Sequence, residues 1–591
     1  MGGGPLFPQR SKGRLEFSED VADNYFNGIR FSISDLTPPA GRILPTVHAY
    51  RVGISLYNAQ FDPKTGERRP ISRYVIRSVI GAILRFQVTC FQFGVLPGRI
   101  RIVATEAMRT AINSDGVVRE IEDATTLRIE ILDKSHEGRL GAWGIASGFS
   151  DVEGLAVDLG GGSMQITWVV SHAGDLHMSP EGSLSFPYGA GALSKKLSEL
   201  QKGRDKEADR AVKKFQQEMK RTFLDAYEKL QIPESLVDKA RKEGGFQLYM
   251  SGGGFRGWGY LLLYLHQTRG RHYPISIING YRAGRDEFAN TRTLKEVART
   301  AHKIFRVSDH RRKQVPAVAF LVNALAESVP YGIKEARFCQ GGIREGILYS
   351  QLTPVIRQQD PLEVATSSFR KPSAGLIGHF FLAATPPPAI PDSQRCWPNT
   401  LNVHLIQSFA NVLYAHAYLP KELASTTALY STSTGILAYA HGISHEDRAR
   451  LALLLEDRYD GELPPREDKV KSELRSLLTP EEVWWISYMA RIGLVVGKLY
   501  PTGIMDSLRP RVWASARLVT DLGKKGDKFG VELTFTMQHL SSDQMRTKEA
   551  LERMAKKIEK VGKKKNWIGG RTGWGMKVKV VIVVTEISTG R

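Results

Sequence analysis

Apolar residues recur with two different spacings along the first 350 residues. Short runs rich in β-branched residues predict strands at residues 28–36, 43–56, 101–105 and 246–250. Between these runs, apolar residues three and four positions apart predict helices over residues 72–93, 190–242 and 316–327. Because strands alternate with helices, the pattern predicts an α/β fold.

The pattern changes near residue 358. Residues 358–400 are polar and contain three consecutive prolines at 386–388, and we interpret them as a Pro-rich linker. Residues 401–505 have helical spacing, including residues 434–440, and predict a helical domain. Residues 506–591 predict a small basic α/β unit, with strands over 512–520, 531–538 and 577–586 and a helix over 542–561. Upstream of residue 358 we expect an atypical N-terminus at 1–26, a first lobe at 27–170 and a second lobe at 171–357.

Length, charge and cysteine content narrow the class of protein. At 591 residues the chain is too long for one core. Its net charge of +21 favours polyanionic partners such as polyphosphate or nucleotides, although a solvated basic surface explains much of it equally well. The three distant cysteines, Cys90, Cys339 and Cys396, favour a reducing compartment over a disulfide framework or a zinc cluster. With no long apolar run and no secretory or myristoylation signal, we expect no membrane partner and a cytoplasmic location, which can extend to the nucleus.

The most informative segment is a glycine turn between two apolar runs. Asp158 ends the first run, Gly160, Gly161, Gly162 and Ser163 follow, and the second run begins directly after them. Residues without Cβ let backbone N–H groups approach an anion closely, and Asp158 is well placed to hold a metal-bound phosphate or a water. A hairpin with a plain glycine-rich turn is the alternative, and we favour phosphate binding.

A second glycine run has a similar setting. Ser251, Gly252, Gly253 and Gly254 follow the apolar run at 246–250 and precede a helical segment, a junction whose free N–H groups and helix dipole attract anions. A tight turn explains this run alone. Together, the two runs suggest two lobes that face a shared phosphate cleft.

Four ordered stretches carry a family resemblance: residues 101–113 (RIVATEAMRTAIN), 136–140 (HEGRL), 157–163 (VDLGGGS) and 340–349 (QGGIREGILY). Over residues 23–350 the chain resembles the Ppx/GppA exopolyphosphatase family of the actin–hexokinase–Hsp70 superfamily. Residues 27–36 resemble most its fungal branch, the retrograde regulation proteins. The resemblance implies two ribonuclease H-like (actin-like ATPase) lobes around an interlobe phosphate cleft.

The resemblance also implies site residues. Glu137 matches the catalytic glutamate, although His136 stands where many members have a second glutamate, and an exposed acid at a helix start is the alternative. Asp158, Gly160–Gly162 and Ser163 match the phosphate and Mg²⁺ site, with Asp158 as the metal ligand, and Gly252, Gly253 and Gly254 match the nucleotide-side loop. Arg109 matches a phosphate contact, and a surface pair with Glu106 is its alternative. Asp23, Asn27 and Arg30 complete the expected phosphate- and nucleotide-binding set.

The first phosphate loop departs from the family pattern. The family has Asp-x-Gly-Ser-Asn, and the aligned residues 23–27 place Tyr25 and Phe26 at the Gly and Ser positions. A bulky aromatic side chain does not replace a glycine whose N–H must touch a phosphate. Either the site is impaired or residues 1–26 are not the native start, and we favour the second explanation.

Two further segments allow both a structural and a functional interpretation. Residues 440–448 contain His441, His445, Glu446 and Asp447, a composition similar to a histidine–aspartate metal site, but a helix N-cap at Ser444 accounts for the segment and we favour it. Lysines and aromatic residues at 556–571 form a basic patch that could contact polyphosphate or nucleic acid, and we favour a solvated helix end.

Two functions therefore remain open. The chain is either a Mg²⁺-dependent exopolyphosphatase or guanosine pentaphosphate phosphohydrolase, or a nucleotide- or phosphate-binding regulator. The fungal branch is associated with mitochondria-to-nucleus signalling through protein partners and an ATP-binding N-terminal region, so the resemblance and the altered first loop favour the regulator. We expect ATP or polyphosphate as ligand, Mg²⁺ as cofactor and regulatory proteins of a transcription-signalling pathway as partners. Nucleic acid is not an expected partner, and a homodimer is left open.

Overall fold

The computed structural model describes residues 13–16, 28–62, 65, 67–202, 205–268, 270, 272–387, 397–508, 510–523, 525–538 and 542–585. The chain forms two compact units. The first contains residues 1–271, 276–361 and 441–443, and the second contains residues 272–275, 362–440 and 444–591.

The strands of the first unit, in chain order, are β1 (Gly13–Glu16), β2 (Ile29–Ser34), β3 (Thr46–Val52), β4 (Ile102–Ala104), β5 (Ile129–Ile131), β6 (Val152–Leu159), β7 (Met164–His172), β8 (Asp175–Met178), β9 (Leu184–Phe186), β10 (Phe246–Ser251), β11 (Arg282–Gly284) and β12 (Ile333–Phe338). Its helices are α1 (Arg73–Gln92), α2 (Glu106–Thr110), α3 (Ser114–Thr125), α4 (Lys134–Ser147), α5 (Ala190–Leu200), α6 (Asp205–Lys229), α7 (Glu234–Glu243), α8 (Gly252–Thr268), α9 (Arg285–Phe288), α10 (Thr291–Thr300), α11 (Asp309–Ser328), α12 (Ile343–Ser350) and α13 (Pro354–Arg357).

The second unit continues with helices α14 (Pro361–Thr366), α15 (Ala374–Ala383), α16 (Val403–Val412), α17 (Lys421–Leu429), α18 (His445–Tyr459), α19 (Pro465–Arg475), α20 (Pro480–Leu499) and α21 (Ser542–Val561). Its strands are β13 (Trp513–Leu522), β14 (Lys528–Gln538) and β15 (Lys577–Thr585), which pair in the order β13-β14-β15.

The described part of the first unit contains three sheets. Strands β1, β2 and β3 form an antiparallel sheet, and β4 and β5 form a parallel pair. Helix α1 packs on this region through Val79, Ile83 and Phe86, which have no exposed surface. Among the described residues, α1 alone has the length and apolar composition of a membrane-crossing helix, and one face of it is buried in this core.

The largest sheet of the described residues has the strand order β11-β12-β10-β6-β7-β8, with β9 also paired to β7. Strands β12, β10 and β6 run parallel, whereas β6 and β7 form an antiparallel hairpin in which Leu159 faces Met164. The mixed α/β class is as predicted. The sheet crosses the lobe boundary that we predict at residue 170, because the pairing of β6 with β10 joins strands about 90 residues apart, a contact that local periodicity does not show.

The second unit corrects two sequence predictions. Part of the predicted linker is helical, since α14 and α15 lie within residues 358–400, and Phe381 of α15 stacks on Phe409 at a ring distance of 5.0 Å. Residues 388–396, which include Cys396, lie outside the described residues. Residues 434–440, predicted helical, form turns instead, because the buried Arg448 guanidinium binds the carbonyls of Thr432, Leu437 and Ala440.

Candidate functional site

Two neighbouring parallel strands bring the two glycine runs to one edge of the large sheet. Asp158 near the end of β6 is in register with Ser251 at the end of β10. The Ser251 hydroxyl donates a hydrogen bond of 2.5 Å to Oδ2 of Asp158. Because parallel strands end at the same edge, both chains leave the sheet side by side, and the carboxyl ends of such strands are where α/β folds bind ligands.

The first bend, Gly160–Gly162, is held through its carbonyl groups. The amides of Ala190, Gly191 and Gly189, at the start of α5, donate to the carbonyls of Gly160, Gly161 and Gly162 at 3.0, 2.9 and 3.3 Å. The chains are so close that a Cβ on Gly189 would lie 2.4 Å from the Gly161 backbone. This clamp accounts for the glycine at 189, which the sequence analysis did not single out.

Three amide groups of the same bend have no acceptor among the described residues. Within the described part of the chain, the N–H groups of Gly161, Gly162 and Ser163 donate no hydrogen bond to a protein acceptor, although Gly161 is buried. Buried backbone N–H groups almost always have an acceptor, and a row of free amides is a typical binding site for phosphate oxygens. Amides in this arrangement can donate to an anion.

The second bend, Gly252–Gly254, packs directly against the first through Leu159. Gly252 has a φ of +83°, and a Cβ there would lie 2.4 Å from the Leu159 carbonyl oxygen. A Cβ on Gly254 would lie 2.5 Å from Cδ2 of Leu159. Gly252 also begins α8, so the free N–H groups and positive dipole end of this helix lie beside the first bend. The two bends are therefore together, as predicted, but they follow neighbouring strands of one sheet and do not face each other from two lobes.

Glu137 and Arg109 form a second cluster, on α4 and α2. Oε2 of Glu137 lies 2.6 Å from Nη2 of Arg109, which also binds Glu106 at 2.8 Å. The Arg109 guanidinium donates to the carbonyl of Leu132 at 2.5 Å. The Glu137 and Arg109 side chains are 15 % and 17 % exposed, so Glu137 is not the freely exposed helix-start acid that was its alternative.

The electrostatics of Glu137 link it to the first bend. Burial raises the pKa of Glu137, the Arg109 guanidinium lowers it, and the carboxylates of Asp158 and Glu106 raise it. The repulsion from Asp158 shows that the two carboxylates lie within electrostatic range of each other. A carboxyl group whose pKa is raised toward neutrality is suited to accept a proton from an attacking water.

Glycines also bring α4 into backbone contact with α12. A Cβ on Gly144 of α4 would lie 2.1 Å from the carbonyl oxygen of Gly342, and one on Gly346 of α12 would lie 1.8 Å from that of Leu140. No side chain larger than hydrogen fits at this crossing. Glu137 is therefore carried on a helix whose position is fixed by α12.

A buried acid at this crossing was missed by the sequence analysis. Glu345 is 12 % exposed, caps α12 by accepting from the Gly342 amide at 3.0 Å, and pairs with Arg344. Burial alone would raise its pKa, but the Arg344 and His441 charges and the hydrogen bonds to Arg344 and the backbone outweigh burial and hold the pKa at about 2. The sequence did contain a signal for this role, because a glutamate three residues after the N-cap position, here Gly342, is typical of a helix cap.

The remaining predicted site residues either lie outside the described residues or have no contact with the two bends that the structure shows. Asp23 and Asn27 fall outside the described residues. Arg30 lies in β2, in register with Arg51 of β3, and its place in the site stays a prediction. The His136 side chain is 46 % exposed and 4.0 Å from Glu130.

The histidine-containing segment 440–448 is a helix start. The Ser444 hydroxyl accepts from the Asp447 amide at 3.0 Å and caps α18, while His441 contacts the Ser147 hydroxyl at 2.8 Å. In the part of the chain that the structure describes, no group of three or more His, Cys, Asp or Glu residues could hold a metal ion. The N-cap is the role that the described contacts support.

Asp158 fits a magnesium ion that arrives with its phosphate. Mg²⁺ usually takes one or two protein carboxylates and completes its shell with phosphate oxygens and water. One carboxylate beside a row of amides, with the Ser251 hydroxyl bonded to it, suits such an ion. The chemistry it would supply is charge neutralisation on the phosphoryl oxygens.

Comparisons with known proteins show which families this chain is similar to. The profile of the Ppx/GppA phosphatase family matches residues 37–354, and the profile described as RTG2 C-terminal domain matches residues 360–585. The chain is similar to Retrograde regulation protein 2 of Saccharomyces cerevisiae, with 39 % identity over 500 residues that cover 82 % of this chain and 81 % of the relative. Exopolyphosphatase 1 of Mycobacterium leprae is 34 % identical over 94 residues, 16 % of this chain and 26 % of that protein. A crystal structure of the Aquifex aeolicus Ppx/GppA phosphatase aligns with 58 % of this chain and 99 % of its own, at 18 % identity and a TM-score of 0.41.

Proposed function

This chain belongs to the Ppx/GppA phosphatase family, and from that premise we propose that it is a regulator of mitochondria-to-nucleus (retrograde) signalling whose first unit binds ATP or polyphosphate. One observation carries the ligand proposal: the buried amide of Gly161 and its neighbours at Gly162 and Ser163 have no acceptor among the residues that the structure describes. An anion that accepts from these amides removes the free-energy cost of leaving them unpaired.

The arrangement around the bend supports a polyphosphate group rather than a single small anion. Asp158 stands at one end of the bend and would hold Mg²⁺, while the second bend and the start of α8 extend the row of donors from Gly252 onward. Separate donors on adjacent bends suit consecutive phosphates of one ligand. ATP and inorganic polyphosphate share this chemistry, and the binding experiment below separates them.

The signalling role rests on the similarity to a yeast protein that bears the name Retrograde regulation protein 2. We propose that the ligand shifts the affinity of this chain for regulatory protein partners in the cytoplasm. A ligand can do so only if it binds one conformation better than another.

A hydrolytic activity is the second candidate, and the position of Glu137 favours it. Its carboxylate is held by Arg109 within electrostatic range of Asp158, and burial raises its pKa. In this candidate Glu137 orients or deprotonates a water, and Arg109 contacts a phosphoryl oxygen.

The test measures binding and turnover on the same purified full-length chain. Isothermal titration with MgATP and with long-chain polyphosphate gives the affinity, and phosphate release gives turnover. We expect binding that is lost in Asp158→Ala and retained in Glu137→Ala. Turnover that depends on Glu137 would establish the enzyme in place of the regulator.

A matched control separates the effect of the Asp158 carboxylate on ligand binding from the effect of a change in the net charge of the chain. Asp115 is an exposed carboxylate on α3, and Asp115→Ala removes the same charge away from both bends. Equal loss of binding in Asp115→Ala and Asp158→Ala, or no binding of either ligand to the unchanged chain, would refute the proposal.

A further inference from the structure

The outer face of α1 carries a row of exposed apolar side chains. Leu84, Val88 and Phe91 are 41 %, 58 % and 82 % exposed, and Tyr74 near the start of the helix is 81 % exposed. The opposite face of the same helix is buried in the core of the first unit. Isolated apolar residues on a surface are ordinary, whereas a continuous exposed row indicates an interaction site.

The spacing of the row matches one side of a helix pair. Tyr74, Gly81 and Val88 are seven residues apart and occupy the a positions of a heptad, and Leu84 and Phe91 occupy d positions. The d position before Leu84 is Arg77, so the apolar row is interrupted there by a charge. The row runs for roughly 25 Å along the helix. At Gly81 a Cβ would meet only the end of Arg85, at 3.4 Å, so a second backbone can approach closely there. A narrow row with such a notch fits another α-helix better than a flat surface.

The charges beside the row select the kind of helix. Arg73, Arg77 and Arg85 are exposed on α1, and the helix contains no aspartate or glutamate. Arg73 and Arg85 occupy the heptad positions that flank the apolar seam, where partner helices place opposite charges. A second copy of α1 would bring arginine against arginine, so the charges disfavour self-pairing.

We propose that the row Tyr74, Gly81, Leu84, Val88 and Phe91, here called the α1 seam, is the docking site for an acidic amphipathic helix of a partner protein. The apolar residues of the partner pack along the seam, and its carboxylates face Arg73 and Arg85. The proposal uses residues of α1 alone and does not depend on whether the glycine bends bind a nucleotide.

The probe is a synthetic 28-residue helix with leucine at the a and d positions and glutamate at the e and g positions. Its like charges prevent it from pairing with itself. Fluorescence anisotropy with the full-length chain should show binding that weakens at least tenfold in Val88→Asp and in Phe91→Asp. Leu508→Asp is the control, because Leu508 is 87 % exposed in the second unit and should leave binding unchanged.

A charge-reversal variant distinguishes the loss of specific contacts from misfolding of the chain. The double variant Arg73→Glu, Arg85→Glu should lose the glutamate peptide and gain binding to a peptide with lysine at the same positions, which a misfolded chain would not do. No binding of the glutamate peptide, or equal binding of both peptides, overturns the proposal. Failure of Val88→Asp to weaken binding also overturns it.

Other occupants give distinct results. Without peptide binding, adsorption to phosphatidylcholine–phosphatidylserine vesicles that is lost in Val88→Asp would assign the row to a lipid surface. A dimer in sedimentation velocity that Val88→Asp dissociates would assign it to a second copy of the chain. Either result replaces the acidic helix and overturns the proposal.

Discussion

Replacing Gly252 by alanine tests whether the second bend depends on its close packing against the first. Gly252 has a φ of +83°, and an added Cβ would lie 2.4 Å from the carbonyl oxygen of Leu159 and 2.7 Å from its carbonyl carbon and amide nitrogen. All three atoms belong to the backbone, so no side-chain rotation relieves the overlap. The two bends must move apart.

The size of the effect follows from two contributions. An alanine at positive φ costs about 1 kcal/mol relative to glycine, and overpacking in a closely packed site costs about 1–3 kcal/mol. The free energy of unfolding should therefore fall by about 2–4 kcal/mol, which for a unit of this size lowers Tm by roughly 3–5 °C. Affinity for MgATP should fall about tenfold or more, since a lost hydrogen bond to a charged group is worth about 1.5–3 kcal/mol.

Gly244→Ala is the matched control. Gly244 has a φ of +80°, and nothing lies within 4 Å of its added Cβ. It should lose about 1 kcal/mol of stability from the backbone conformation alone and bind MgATP normally. Differential scanning fluorimetry and titration calorimetry measure both quantities. If the two variants lose equal stability and both keep full affinity, the packing of Gly252 on Leu159 does not shape the site.

Three further predictions concern α4, which carries Glu137, the Arg109 partner of Glu137, and Glu345 at the crossing of α4 with α12. Gly144→Ala should destabilise the chain by about 1–3 kcal/mol because its Cβ meets the α12 backbone. Gly141→Ala, three residues earlier in α4, has nothing within 4 Å of its Cβ and should stabilise the chain by up to about 1 kcal/mol. Urea unfolding should therefore give changes in the free energy of unfolding with opposite signs for the two variants. Arg109→Ala should cost about 3–5 kcal/mol because it leaves a buried carboxylate unpaired. Arg241→Ala, in a pair whose side chains are 49 % and 73 % exposed, should cost far less; similar losses in unfolding titrations would contradict this. The pKa of Glu345 is lowered to about 2 in the folded chain, so its ionised carboxylate contributes about 3 kcal/mol to the free energy of unfolding above the unfolded pKa of about 4.5. This contribution is lost as pH falls toward 2. Urea unfolding between pH 7 and 3 should therefore show a smaller loss of stability in Glu345→Gln than in the unchanged chain.

Local patterns in the sequence predicted much of the second unit and several strands of the first, among them β2, β3, β4 and β10, but not β5, β8, β9, β11 or β12. Helix α21 has the predicted bounds, and Ser72 caps α1 one residue before its first helical residue. Such features depend on spacing and capping residues within one segment, which the sequence displays directly.

Features that depend on distant contacts were not predictable. The carbonyls of the first bend are bound by amides at 189–191, and α4 meets α12 through glycines about 200 residues apart. The linker prediction missed α15 because it extended the character of the prolines at 386–388 to residues 374–383, which are themselves apolar. The sequence therefore predicted the glycine bends, whereas the clamp and the crossing that fix their surroundings appear only in the fold.

Hydrogen exchange of the backbone amides, with and without MgATP, tests the central claim most directly, because the claim concerns main-chain N–H groups. Peptides that cover residues 160–164 and 251–257 should both become protected when the ligand binds, and Asp158→Ala should abolish the protection of both. Ligand binding that protects other regions while both peptides exchange at an unchanged rate would contradict the account.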